Sequence, residues 1–178
     1  MGRYSATRGR RLTRYEDMVE RLASSPAGGW AFVHLFSPVD RLLLPVSRGR
    51  LSVAVGAPVG VLESRGVRTG RRRRTPVLYQ LMDADLLVVA SNVGRRHHPA
   101  WLHNVRMHPE VRFLTRERGW SAYRAREAIG AERTRLWLRA IDFYAGYAAY
   151  QERTGQREIA LVVLEADRQE GVEIPPAM

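Results

Sequence analysis

The sequence predicts a mainly β domain with helices (α+β), a small barrel of short strands with helices packed on it. Short β-branched and apolar runs recur from residue 61 to 165, broken by turn residues. Asp83-Ala84-Asp85 joins two of these runs as a hairpin, and Glu117-Arg118-Gly119 joins two more. One long stretch in that half, residues 131–144, instead carries helical spacing, with Leu136, Trp137, Ala140, Ile141 and Tyr144 on one face. Short strands on hairpins with few helices close most simply into a barrel.

The elements follow in chain order. Residues 1–10 read as a flexible basic arm. Leu12, Tyr15, Met18, Val19 and Leu22 then keep helical spacing behind Thr13 as a cap. Ser25-Pro26-Ala27-Gly28-Gly29 breaks this helix, an aromatic segment runs over 30–36, and Ser37-Pro38 opens a second helix that ends at Pro45. Residues 11–58 thus form a helical cover packed on the barrel. Strands are expected over 61–64, 75–82, 86–91, 111–115, 120–127 and 159–165, giving a barrel core of 59–166 and a tail of 167–178. No repeat or linker divides the chain, so its 178 residues are read as one domain.

Composition narrows the chemistry. There is no cysteine, which removes disulfides, thiolate catalysis and cysteine-based zinc sites. No apolar run approaches a membrane span, and the basic N-terminus lacks the hydrophobic segment of a signal peptide, so a cytoplasmic location is expected. The formal net charge is +11, and all 29 cationic side chains are arginines. This usage fits either a GC-rich coding bias or recognition of anions by guanidinium forks. The charge favours polyanionic partners: an anionic cofactor, the surface of a membrane, or nucleic acid. Against specific nucleic-acid binding, no recognition motif is present and the aromatic residues do not alternate with the basic runs.

The most informative segment is LLVVASNVGRRHHPAWLHN, residues 86–104. A buried strand ends in the polar turn Ser91-Asn92-Val93-Gly94, cationic residues follow, and Pro99 starts a helix carrying Trp101 and Asn104. A strand, a loop with free amides and a cation-ringed helix start suit an anionic, planar ligand. A second anion candidate is Gly66-Val67-Arg68-Thr69-Gly70, followed by Arg71 to Arg74. It matches neither a Walker loop nor a dinucleotide fingerprint, and a solvated turn is the alternative. Tyr144, Tyr147 and Tyr150 recur at spacing three, which fits either core packing or a site whose hydroxyls meet a ligand. The five histidines do not make a metal site, because His98, His103 and His108 rotate away from one another on a helix and no carboxylate stands between His97 and His108. No nucleophile-elbow motif or acidic pair offers self-sufficient catalysis, so enzymatic chemistry would come from a cofactor.

Taken in order, GVRTG (66–70), TPVLY (75–79), VVASNVG (88–94), HPAWLHN (98–104), YAGYAAYQERT (144–154) and REIALVVLE (157–165) resemble the deazaflavin-dependent nitroreductase family. These are oxidoreductases with an FMN-binding-like split β-barrel that use coenzyme F420. The resemblance covers residues 30–166. It implies cofactor contacts from Arg68, Thr69, Gly70, Arg74, Pro76, Ala90, Ser91, Asn92, Gly94, Trp101 and Asn104. It implies substrate contacts from Tyr144, Tyr147 and Tyr150, and catalytic roles for Ser91, Tyr147 and Tyr150. Val67 stands where the family's phosphate loop usually has arginine, Leu102 where it has tyrosine, and Ala145 and Ala160 where many relatives have proline. The implied reaction is hydride transfer from reduced F420 to an activated alkene, a quinone or a nitroaromatic, by a homodimer. FMN in place of F420, or a cofactor- or lipid-binding protein without turnover, is the alternative.

Overall fold

The strand β1 (Val59–Arg65) starts a sheet that closes on itself. Residues 58–167 are described by the structure, a computed structural model. The expected basic arm, the helical cover over 11–57 and the tail beyond Asp167 lie outside the described residues. The other strands are β2 (Arg72–Met82), β3 (Asp85–Val89), β4 (Glu110–Thr115), β5 (Gly119–Glu127) and β6 (Leu161–Ala166). They form a closed barrel in the order β1-β2-β3-β6-β5-β4, with every neighbouring pair antiparallel.

The helices are α1 (Ala100–Met107), α2 (Gly130–Phe143) and α3 (Gly146–Arg153). Barrel side chains such as Leu62, Val77, Tyr79, Leu86, Val88, Phe113, Tyr123, Val162 and Leu164 share one core with Trp101, Leu102 and Val105 of α1. Helix α1 is thus packed into the barrel's own core. Leu87, Val89, Leu161 and Val163, on the opposite pleats of β3 and β6, pack with residues of α2 and α3. Because both faces of β3 and β6 are covered, their sequences read as unbroken apolar runs rather than as alternation. A Cβ at Gly60 would lie 2.2 Å from Phe113 Cε1, so glycine leaves the space that this fully buried ring occupies.

The predicted strands all exist, with shifted ends. The largest shift is in β2, which starts three residues before the expected Thr75, because Arg72, Arg73 and Arg74 pair with Arg65, Ser64 and Glu63. Their charge suggested loop, but Glu63 stabilises them as strand. Glu63 is 4% exposed and accepts hydrogen bonds from Arg72 Nη1 at 2.9 Å and Arg74 Nε at 2.8 Å, with Arg112 Nη1 at 3.9 Å. Arg74 and Arg112 also lie over the Trp120 ring, at 5.3 and 5.2 Å from its centroid. Burial alone would raise the Glu63 pKa, but the hydrogen bonds and charges of Arg74 and Arg72 outweigh it and hold the carboxyl below its ordinary value.

The stability effect has a definite sign. A lowered folded pKa stabilises above the unfolded value, and the contribution is lost as pH falls through the folded one. Glu63→Gln should therefore destabilise the barrel near neutral pH by ~1–2 kcal/mol, less than for a fully buried pair because the arginines are solvent-screened. In thermal melts the gap between wild type and variant should close as pH drops below the ordinary glutamate value of 4.5. A gap independent of pH would show that packing, not charge, explains Glu63.

Candidate functional site

In an antiparallel barrel of this order, β1, β3 and β5 finish at the end where β2, β4 and β6 begin. The segments 66–71, 90–99 and 154–160 therefore emerge together. The opposite end is tied by Arg118, whose guanidinium donates to the carbonyls of Asp83 and Ala84 and so links the two hairpins. There Tyr79 donates to Glu117 Oε2 at 2.6 Å.

At the first end, the β1–β2 turn is closed by Gly70 N–H to the Gly66 carbonyl (2.8 Å) and Gly66 N–H to the Arg71 carbonyl (2.9 Å). Gly70 has φ +63, which glycine adopts without strain. The turn is anchored from α1, where Asn104 Oδ1 accepts the Val67 N–H at 3.2 Å and Asn104 Nδ2 donates to Ser64 Oγ at 3.2 Å. Thr69 Oγ1 accepts from Arg71 N–H and Arg73 Nη2, both at 3.4 Å. The backbone N–H groups of Arg68 and Thr69 make no hydrogen bond among the described residues, and both residues are exposed.

The second segment bends through three consecutive left-handed residues, Asn92 (φ 48), Val93 (φ 50) and Gly94 (φ 76). Asn92 Nδ2 donates to the His97 carbonyl at 3.0 Å, so its amide folds back on its own loop. Gly94 lies against α3, where a Cβ would meet the Tyr150 carbonyl oxygen at 3.0 Å. Ala90 is buried in the core and Ser91 is half-buried.

The tyrosines do gather, though not as one helical stripe. Tyr144 lies between α2 and α3, and Tyr147 and Tyr150 lie on α3. The rings meet edge to face with centroids 5.1–6.2 Å apart, and the Tyr144 and Tyr150 hydroxyls are 3.2 Å apart. The Tyr144 ring covers Gly146, where a Cβ would come within 2.4 Å of it, which explains glycine at this helix start. Burial, then the neighbouring Tyr150, raises the Tyr147 pKa well above that of free tyrosine.

Three expected cofactor residues are placed elsewhere than on the loops. Trp101 is 6% exposed and belongs to the barrel core. Arg74 is committed to Glu63 and Trp120 on the barrel wall. Pro76 is buried on β2 opposite Val61, in the part of β2 beyond its pairing with β3, where its missing N–H is tolerated. The spacing argument against histidine clustering also needs correction. His98 precedes α1, so helical rotation does not separate it from His103, and their rings are 6.2 Å apart. Among the described residues no His/Asp/Glu group suits a metal ion.

Sequence reading missed Arg157. Its guanidinium reaches the carbonyls of Ala90 (3.2 Å), Ser91 (2.7 Å) and Arg95 (2.8 and 3.0 Å). One of many arginines, it carried no signal beyond its place before the last strand.

This barrel, with its ligand-type loops at one end, is that of the split-barrel oxidoreductases. A family model for F420H(2)-dependent quinone reductases matches residues 47–166, and the chain belongs to that family of F420-dependent reductases. An F420H(2)-dependent quinone reductase of Mycobacterium tuberculosis is 30% identical over 122 residues, covering 66% of this chain and 81% of the relative. A second M. tuberculosis protein, provisionally named for the same activity, is 32% identical over 108 residues, covering 60% and 88%. Among solved structures, an F420-H2 dependent reductase superimposes with a TM-score of 0.54 at 31% identity, covering 61% of this chain and 94% of that one. A structure described as a domain-swapped dimer gives 0.56 at 30% identity, covering 61% and 80%.

The cofactor of this family is F420, not the FMN alternative, and the donor set fits it. The N–H groups of Arg68 and Thr69 and the guanidinium of Arg68 offer charge-assisted and neutral donors to phosphate oxygens. The 66–70 turn is held by Asn104, which bonds it from α1 and also bonds Ser64 of β1. Asn104→Leu should remove both bonds and weaken F420 binding by roughly tenfold, at a net ~0.5–1.5 kcal/mol per hydrogen bond. Fluorescence titration measures this, and an unchanged dissociation constant would reduce Asn104 to a packing role.

Proposed function

We propose that this chain reduces a quinone with F420H2, holding the cofactor phosphate on residues 66–70 and the substrate beside Tyr144, Tyr147 and Tyr150. The observation that carries this reading is the exposed turn at Arg68 and Thr69, with two N–H groups that make no bond among the described residues, at the same barrel end as the tyrosine cluster. When bound, F420H2 supplies the hydride. The chain's own task is alignment and stabilisation of charge developing on a quinone oxygen.

Ser91 and the tyrosine hydroxyls are the donors for that oxygen. With its pKa raised, Tyr147 stays neutral at physiological pH and acts as a hydrogen-bond donor. Tyr150, hydroxyl to hydroxyl with half-buried Tyr144, has a route for a proton from the surface. The buried Trp101 supports the site from the core, and Ala90, Asn92 and Gly94 shape the turn beside the ring of the cofactor. The same reading has the chain act in the cytoplasm as a homodimer, with uncommitted arginines available to anionic lipid where a lipophilic quinone resides. Among the described residues no helix is long and apolar enough to cross a membrane.

Changing Tyr147 and Tyr150 together to Phe keeps the rings and removes the hydroxyls. F420 affinity should hold, while quinone-dependent oxidation of F420H2 should fall by about 10²–10⁴-fold. Unchanged turnover would confine the tyrosines to packing. Arg68→Ala should weaken F420 binding by ~1.5–3 kcal/mol, the range for a charge-assisted hydrogen bond. Tighter binding of FMN than of F420 to wild-type protein would overturn the reading, and parallel assays with an activated alkene and a nitroaromatic test the substrate class.

A further inference from the structure

The turn after β3 has a conformation that local sequence disfavours. Asn92 tolerates a left-handed φ and Gly94 is free to adopt one, but β-branched Val93 between them is strained at φ 50. Such a bend persists only when something outside it holds it. It also turns the carbonyls of Ala90, Ser91 and Arg95 toward one point, and the Arg157 guanidinium occupies that point with four hydrogen bonds of 2.7–3.2 Å.

Arg157 makes no ion pair among the described residues. Its other neighbour is His98 Nδ1, 3.4 Å from Nη1. The guanidinium is half-buried, and its planar fork is matched to backbone oxygens alone.

The backbone of Arg157 is fixed in its turn. Its carbonyl accepts from Thr154 Oγ1 at 2.6 Å and Gln151 Nε2 at 2.9 Å, while Gln151 Oε1 accepts the Ile159 N–H at 2.8 Å. Gln151 follows Tyr150 directly on α3. A continuous set of hydrogen bonds therefore runs from the helix carrying the tyrosines, through Gln151, Thr154 and Arg157, to the turn carrying Ser91 and Asn92.

We propose that Arg157 is a positioning residue for the reductase reaction: by gathering the carbonyls of Ala90, Ser91 and Arg95 it sets the left-handed turn and fixes Ser91 relative to Tyr147 and Tyr150. This rests on the functional reading above. Arg157 touches neither cofactor nor substrate in this role and acts through the geometry of residues 90–95.

The test uses full-length protein carrying Arg157→Ala and, separately, Arg157→Lys, which keeps the charge but loses the fork. In cofactor-free protein, amide exchange at residues 91–97 should quicken by about tenfold or more in Arg157→Ala, since bonds to a charged donor are lost, while strand amides stay protected. With F420H2 and a soluble quinone, kcat should fall by roughly 10–100-fold, the scale for small misplacement of a reacting group, with a smaller change in KM. Added guanidinium ion, below denaturing concentration, should restore both exchange protection and kcat in Arg157→Ala but in neither wild type nor Arg157→Lys. Should Arg157→Ala fail to fold, Arg157→Lys decides: full protection and full kcat overturn the proposal, and loss of both supports it. Faster exchange with unchanged kcat also overturns it. A wild type without F420 binding or quinone turnover would count against the functional reading, and the exchange measurements alone would then decide whether Arg157 holds the turn.

Discussion

Closure of six antiparallel strands is the constraint from which the site follows. In a closed barrel each strand has a neighbour on both sides, and the connections leave at the ends. With this strand order the 66–71 turn, the 90–99 loop and the α3–β6 connection have to share one end. The opposite end is held by short hairpins and Arg118. The interior carries the buried side chains of Phe113, Leu62 and Leu86 together with the apolar face of α1.

Two side chains then convert a generic rim into particular loop shapes. Asn104 bonds the 66–71 turn from α1, and Arg157 bonds the 90–95 turn from the connection between α3 and β6. Both bond to backbone groups, and Asn104 also to Ser64 Oγ. Backbone groups have fixed direction, so a side chain that bonds them dictates the path of the chain, whereas a contact between two flexible side chains does not. The glycines serve the same end at specific contacts: Gly94 lets α3 approach the turn, and Gly146 lets the Tyr144 ring fold over the helix start.

The strands and the long helix were legible because each is set by its own pattern of buried positions. The hairpin turns at Asp83–Asp85 and at Glu117–Gly119 likewise follow local rules, and Asp83 indeed has φ 56. What was not legible depended on partners distant in sequence. The arginines of β2 become strand only because Glu63 is opposite, and Arg157 acquires its partners from a loop more than sixty residues earlier. The burial of Trp101 likewise depends on distant partners, because the face of α1 on which it lies packs into the barrel. Tyr144, Tyr147 and Tyr150 were grouped correctly by spacing, yet a helix break at Tyr144 and Ala145 brings their rings together, not a single helical face.

The large positive charge is better understood by asking which arginines are already committed. Arg72, Arg74, Arg106, Arg124, Arg126 and Arg133 lie within ion-pair distance of carboxylates. Arg118, Arg139 and Arg157 donate to carbonyls. By contrast, the side chains of Arg65, Arg68, Arg71 and Arg96, at the end of the barrel that carries the candidate site, of Arg116 in the hairpin at the opposite end and of Arg135 on α2 make no hydrogen bond or ion pair among the described residues. The four at the first end leave positive charge uncancelled there, and such a field would favour the approach of an anionic ligand to that rim.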